Sequence, residues 1–184
     1  GVAPNAATLA VSELMYNPAV TDPAGEFIEV MNISSVDGLD LTGVHFNDGI
    51  TFTFPLAYTL APGERAVLVR DSAAFAAVHP GVPIAGIFEG AFNNGGELVA
   101  ISDSLGNEIL AFTYGNDLPW PDHADGGGSS LVLIAPKSAP DHGMPQNWRA
   151  STAPGGTPGG TDAVSYHGGD LLTYALAEPA SLDF

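Results

Sequence analysis

The sequence predicts an all-β sandwich, and three observations predict it. Short runs rich in β-formers recur along the chain, turn signals separate them at regular intervals, and only one stretch of the body has the composition of a helix. The 184 residues include 23 Gly and 15 Pro, well above the ordinary share of about 12% for the two together. Much of the chain is therefore committed to turns.

Taken in order, Thr8 to Tyr16 alternates loosely through Leu9, Val11, Leu14 and Tyr16 and stops at the turn-favouring pair Asn17-Pro18, which predicts a strand. Residues 25–32 form a second. Its acids Glu26 and Glu29 lie an odd number of residues apart, so they point to opposite sheet faces. Residues 39–46 give a third strand and 50–54 a fourth, joined through Asp48-Gly49, a strong hairpin signal between apolar runs. Ala61-Pro62-Gly63-Glu64 is a turn into a buried strand at 65–70. Residues 71–78 read as the helix, with Asp71 as N-cap, alanines favouring the element and Pro80-Gly81 ending it. Strands resume at 84–88, 97–102, 108–114 and 130–134. After Tyr114 the texture turns to Gly, Pro, Asp and Asn, as in loops that cover a sandwich edge or carry function. The domain plan is a linker at 1–7, a sandwich at 8–162, and a linker at 163–184 that opens a helical segment or following module around Leu171 to Ala177.

Charge and composition remove several function classes. Four basic residues, Arg65, Arg70, Lys137 and Arg149, face 21 acidic ones, for a formal net charge of −17. Phosphate-backbone binding rests on Lys and Arg displacing counterions, so nucleic acid is excluded as a partner, and an anionic membrane surface would repel the chain. No stretch approaches the roughly 20 apolar residues that cross a bilayer, so membrane insertion is not expected. Cysteine is absent, which removes disulfides, thiolate nucleophiles and sulfur metal sites. The start Gly1-Val2-Ala3-Pro4 has neither a basic nor an apolar leader region and reads as a cut from a longer chain.

The order of motifs resembles the lamin tail domain family. The runs that carry the resemblance are 26–32, 39–46, 52–55 and 60–69, then Asn93-Asn94-Gly95-Gly96-Glu97 through Ile101, with Asp103 to Glu108 after it. The opening Ser12-Glu13-Leu14-Met15-Tyr16-Asn17-Pro18, together with Trp120-Pro121, 126–131 and 147–151, is similar to the bacterial branch of that family. The resemblance covers residues 8 to 160. It implies an immunoglobulin-like β-sandwich, a binding or spacing role, and a place in a large exported or cell-surface bacterial protein. It implies no enzyme. Chromatin or DNA binding does not carry over to a chain of charge −17.

Candidate chemistry is sparse. The five histidines, His45, His79, His123, His142 and His167, sit in no recognisable motif, and there is no Gly-x-Ser-x-Gly elbow. Gly126-Gly127-Gly128 lacks the trailing lysine of a phosphate loop and reads as a turn. Ca²⁺ is the cofactor the composition admits, since a hard cation takes 6 to 8 oxygen ligands. Two clusters offer them: Glu13 with Glu26 or Glu29 on adjacent strands, and Asp117, Asp122 and Asp125 in the Gly-rich loop. The alternative for the carboxylates on neighbouring strands is that they are solvated or paired with Arg65, Arg70 or Arg149. Tyr114, Trp120 and Trp148 are the candidate ligand or partner contacts, because aromatic faces suit partly apolar ligands such as sugar rings. The expected function is a non-catalytic interaction or spacer module of a secreted or cell-surface bacterial protein, binding a protein or a surface polymer through exposed sheet edges or the Gly/Pro-rich loops between Asn116 and Asp162. The alternative is a carbohydrate-binding accessory domain of a secreted hydrolase.

Overall fold

A computed structural model describes residues 1–19, 21 and 24–162. The helical segment expected near Leu171 to Ala177 lies outside them. Twelve strands and one α-helix occur among the described residues: β1 Leu9–Met15, β2 Phe27–Asn32, β3 Leu39–Asp40, β4 His45–Asp48, β5 Phe52–Thr53, β6 Thr59–Leu60, β7 Arg65–Val69, α1 Ser72–Val78, β8 Gly86–Ile87, β9 Leu98–Ser102, β10 Glu108–Thr113, β11 Leu131–Leu133 and β12 Trp148–Ala150. They form a six-stranded sheet in the order β12-β11-β1-β2-β7-β8, a four-stranded sheet β10-β9-β4-β5 and the small pair β3-β6. Neighbours are antiparallel except β7 and β8.

The two large sheets enclose the core. Leu14, Ile28, Val30 and Leu68 from one meet Phe46, Val99, Ile101 and Phe112 from the other, all buried. Thr51 and Glu89 exchange two backbone hydrogen bonds, of 3.0 and 2.9 Å, and so close one side between the sheets. On the opposite side Trp148 stacks on Phe112 with centroids 5.7 Å apart.

The six-stranded sheet has a second buried face, and this face positions the site. Its apolar half, Met15, Phe27, Val67 and Val69, is covered by Phe75 of α1. Asp71 caps that helix by accepting from the Ala73 and Ala74 amides, as the sequence predicts. The remainder carries Glu13 and Glu29, with Arg65 at its margin. Segment 151–162 lies over this polar half.

Three elements differ from expectation. The strand read over 39–46 is broken into β3 and β4, because Gly43 takes φ 72° and lies against Ser104, where a Cβ would collide. Strands β6 and β12 fall in stretches read as loop. Residues 1–7, expected as a linker, are held to the body: the Val2 amide donates to Gly38 O at 2.8 Å and Val2 O accepts from Asp40 at 2.9 Å.

Candidate functional site

Register brings the site together. Glu13 of β1 lies directly opposite Glu29 of β2 and, on its other side, Val132 of β11, which in turn faces Arg149 of β12. A β-bulge between Val11 and Glu13 sets this alignment. Two carboxylates as cross-strand partners would ordinarily destabilise a sheet, and here both are buried, at 1% and 0% exposure. They persist because donors surround them.

Glu13 Oε1 accepts from Ser130 Oγ at 2.5 Å and from the Thr157 amide at 2.7 Å, while Thr157 Oγ1 donates to Oε2 at 3.2 Å. Glu29 Oε1 accepts from Ser12 Oγ at 2.6 Å and pairs with the Arg65 guanidinium, and its Oε2 accepts from the Gly159 amide at 2.6 Å. Gly156 makes this approach feasible: it sits at φ 88°, and a Cβ there would fall on the Glu13 carboxylate. Segment 151–162 is fastened at both ends. Ser151 exchanges hydrogen bonds with Ser130, and Asp162 accepts from Thr152 N at 2.8 Å, Thr152 Oγ1 at 2.5 Å and Arg149 Nη1 at 3.0 Å. Beside it a cleft of about 310 Å³ is lined by Arg65, Arg149, Val132, Ile134, Pro136 and Thr161, with Glu13 at its inner wall.

Burial raises the Glu13 carboxyl to about 7, against the pull of its donors and with the help of the Glu29 charge. Burial likewise acts against ionisation of Asp162, but the hydrogen bonds from Thr152 and Arg149 prevail and hold it below the usual carboxylate range. His142 is buried with Nε2 at 3.1 Å from the Val11 amide nitrogen in the bulge, and burial lowers its pKa. A near-neutral acid beside a second carboxylate has the makings of general acid–base chemistry. With both carboxylates closed off from solvent and every oxygen already accepting a hydrogen bond, the pair instead works as an internal fastening.

The first proposed calcium cluster does not fit a cation. Oxygens of Glu13 and Glu29 are occupied by donors, and Glu29 already has the Arg65 guanidinium as its cation. Glu26 lies on the other sheet face, as its spacing from Glu29 predicts, accepting from the Phe92 amide at 2.8 Å and from Arg70 at 2.6 Å. In the second cluster Asp117, Asp122 and Asp125 are exposed. Asp125 accepts from Asn17 at 2.6 Å and Asn116 at 3.3 Å, and Asp122 from the His123 amide at 2.8 Å. Among the described residues no three acidic or histidine side chains converge on a point where a metal ion would sit.

The aromatic platforms are corrected too. Tyr114, Trp120 and Trp148 are buried, at 1%, 9% and 3% exposure. Tyr114 packs on Tyr16 at 4.7 Å and donates to Asn93 O at 2.7 Å. Trp148 lies between Phe112 and Trp120 and donates from Nε1 to His142 O at 2.8 Å. Their faces are taken up by packing, as large aromatics usually are. Sequence reasoning missed Asp162 as a further buried acid, and Ser12, Ser130, Thr157 and Gly159 as the donors to Glu13 and Glu29. The one available signal was the presence of carboxylates inside strands that are otherwise apolar.

Two packed sheets with short antiparallel strands, a single short helix and a carboxylate row sealed by a loop define a structural, immunoglobulin-like sandwich. The family model described as Lamin Tail Domain matches residues 3–116, and the chain belongs to that family. It is a family of non-catalytic domains that engage other proteins. No curated protein matches the chain. Strands β11 and β12 and segment 151–162 lie outside the matched span.

Proposed function

We propose that this domain is a non-catalytic interaction module of an exported bacterial cell-surface protein, and that its partner presents a cationic surface. The observation that carries the reading is the distribution of charge. Arg65, Arg70 and Arg149 are each paired with an acid, Arg70 with its side chain still 40% exposed, and Lys137 is the exposed basic side chain outside these pairs among 21 acidic residues in the chain. An outer surface so depleted in cations steers basic partners and repels polyanions. Membership of a protein-interaction family supports a protein partner, and the motifs shared with the bacterial branch support the exported setting. The sealed carboxylates support a non-catalytic role.

Saturable binding measured against a folded basic protein, a neutral polysaccharide and heparin tests the reading. The basic protein is expected to bind at defined stoichiometry, with affinity falling as salt rises from 20 to 500 mM, roughly as expected for screening over a Debye length that shrinks to a few Å. Tighter binding to heparin or to the polysaccharide would overturn it.

A further inference from the structure

We infer that the open edge of β10 receives an extended segment of a basic protein partner, which adds to the four-stranded sheet as a further strand. This rests on the interaction reading above and gives it a surface and a mode. Among the described residues the sheet orders leave β12, β8, β10 and β5 with a neighbour on one side only. Strand β12 has three residues and β8 and β5 have two each, whereas β10 has six. Thr51 and Glu89 also tie the β5 side to the other sheet. Proteins blunt a sheet edge by keeping it short, by bulges, or with lysine or proline. The run from Glu108 to Thr113 contains neither lysine nor proline, and its bulge between Glu108 and Leu110 leaves 110–113 in regular register with β9.

The backbone direction shows which groups this edge presents. The Tyr114 amide donates to Glu97 O at 3.2 Å, and along an antiparallel strand the backbone groups turn to alternate sides. Phe112 and Leu110 therefore face β9, while Ala111 and Thr113 turn their amides and carbonyls to the open side. Both of these residues are exposed, and among the described residues no other strand or loop backbone pairs with them. Leu98, the cross-strand partner of Thr113, is 43% exposed on the same face. It offers apolar surface to the alternate side chains of an added strand, whose main chain would supply the hydrogen bonds.

Charge selects the occupant. From Asn93 to Asp117 the chain carries Glu97, Asp103, Glu108 and Asp117 and neither lysine nor arginine, and β4 and β5 carry Asp48 and again neither. Exposed Glu108 stands at one end of the edge, and exposed Asp117 in the loop that leaves the other. An incoming strand with lysine or arginine at alternate positions meets opposite charge there. A second copy of this chain would bring the same acids to the edge, with a formal charge of −17 on each chain, and like charges oppose that pairing.

Amide hydrogen exchange on the whole chain, read residue by residue by NMR, tests the inference with a peptide alternating lysine and valine as the probe. In the free chain the Ala111 and Thr113 amides are expected to exchange faster than those of Leu110 and Phe112. Saturating peptide is expected to slow Ala111 and Thr113 at least tenfold. The same peptide N-methylated along its whole backbone, equal in charge, is expected to protect neither. Ala111→Pro removes a donor from the open edge and none from the β9 ladder, and is expected to weaken the peptide at least tenfold while keeping a cooperative thermal transition. If that variant fails to fold, the N-methylated peptide carries the comparison in the wild-type chain. Peptide binding without protection of Ala111 and Thr113, equal protection by the N-methylated peptide, or no peptide binding where a folded basic protein binds would each overturn the edge and leave the basic partner standing. Failure of the peptide and the folded basic protein alike would overturn both. Protection that grows with chain concentration in the absence of peptide would place a second copy on the edge and refute the occupant assigned to it.

Discussion

At Glu13 the usual preference of a carboxyl for its charged form is reversed, because burial outweighs the hydrogen bonds it accepts and Glu29 adds repulsion. The folded protein then binds a proton that the unfolded chain has already released between pH 4.5 and about 7. Stability from this group is fully present below 4.5 and is lost as pH rises through 7, at a cost of about 3 kcal/mol. Glu26, raised by burial as well, acts in the same direction. His142 and Asp162 act oppositely: both are lowered by folding, so their contributions are present above their unfolded values and are lost on acidification. Chemical denaturation between pH 4 and pH 9 should therefore show a maximum in the mildly acidic range. Glu13→Gln should flatten the fall on the neutral side. Arg65→Ala should be far more damaging, by about 3 to 5 kcal/mol at pH 7, because it leaves Glu29 buried without its cation. Trp120 and Trp148 make a third prediction at this scale: with both indoles packed inside, acrylamide should quench their emission weakly and a soluble polysaccharide should leave it unmoved. The sequence offered pairing with Arg65 and Arg70 as one alternative for Glu29 and Glu26, whereas Asp162, the partner of Arg149, was not among the acids it singled out. It did not show which acids were buried, since burial depends on a bulge and a loop far along the chain.

Among the elements, those with a strong local pattern were legible and those made by long-range contact were not. Strands β1, β2, β7, β9 and β10 follow runs of β-formers, and α1 follows its cap and alanines. Strand β12 has only Trp148, Arg149 and Ala150, with Asn147 and Ser151 as flanks, and pairs solely because β11 offers an edge. Strand β6 has two residues, too few for alternation to register. Segment 151–162 has the composition of a turn-rich linker, yet its glycines are requirements of the docked conformation. Gly156→Ala would combine a left-handed backbone with a side chain aimed at the Glu13 carboxylate. The expected loss is about 1 to 3 kcal/mol, measurable by thermal unfolding, whereas the exposed Gly160, at ordinary φ, should tolerate alanine.

Over the whole molecule, the boundary of the cooperative unit follows from the sheet and not from the span of the family match. The matched residues 3–116 contain β1 to β10. They lack β11 and β12, which pair beyond β1, and they lack Ser130, Thr157 and Gly159, which satisfy the two central carboxylates. A chain ending at 116 would expose the edge of β1, open the core beside Phe112 and leave Glu13 and Glu29 without those donors. The charge of −17 adds self-repulsion to any such fragment. The most direct measurement is urea unfolding of chains 1–116 and 1–162, followed by circular dichroism. One cooperative transition is expected for 1–162 and none for 1–116. A cooperative transition of 1–116 at the same midpoint as 1–162 would contradict it.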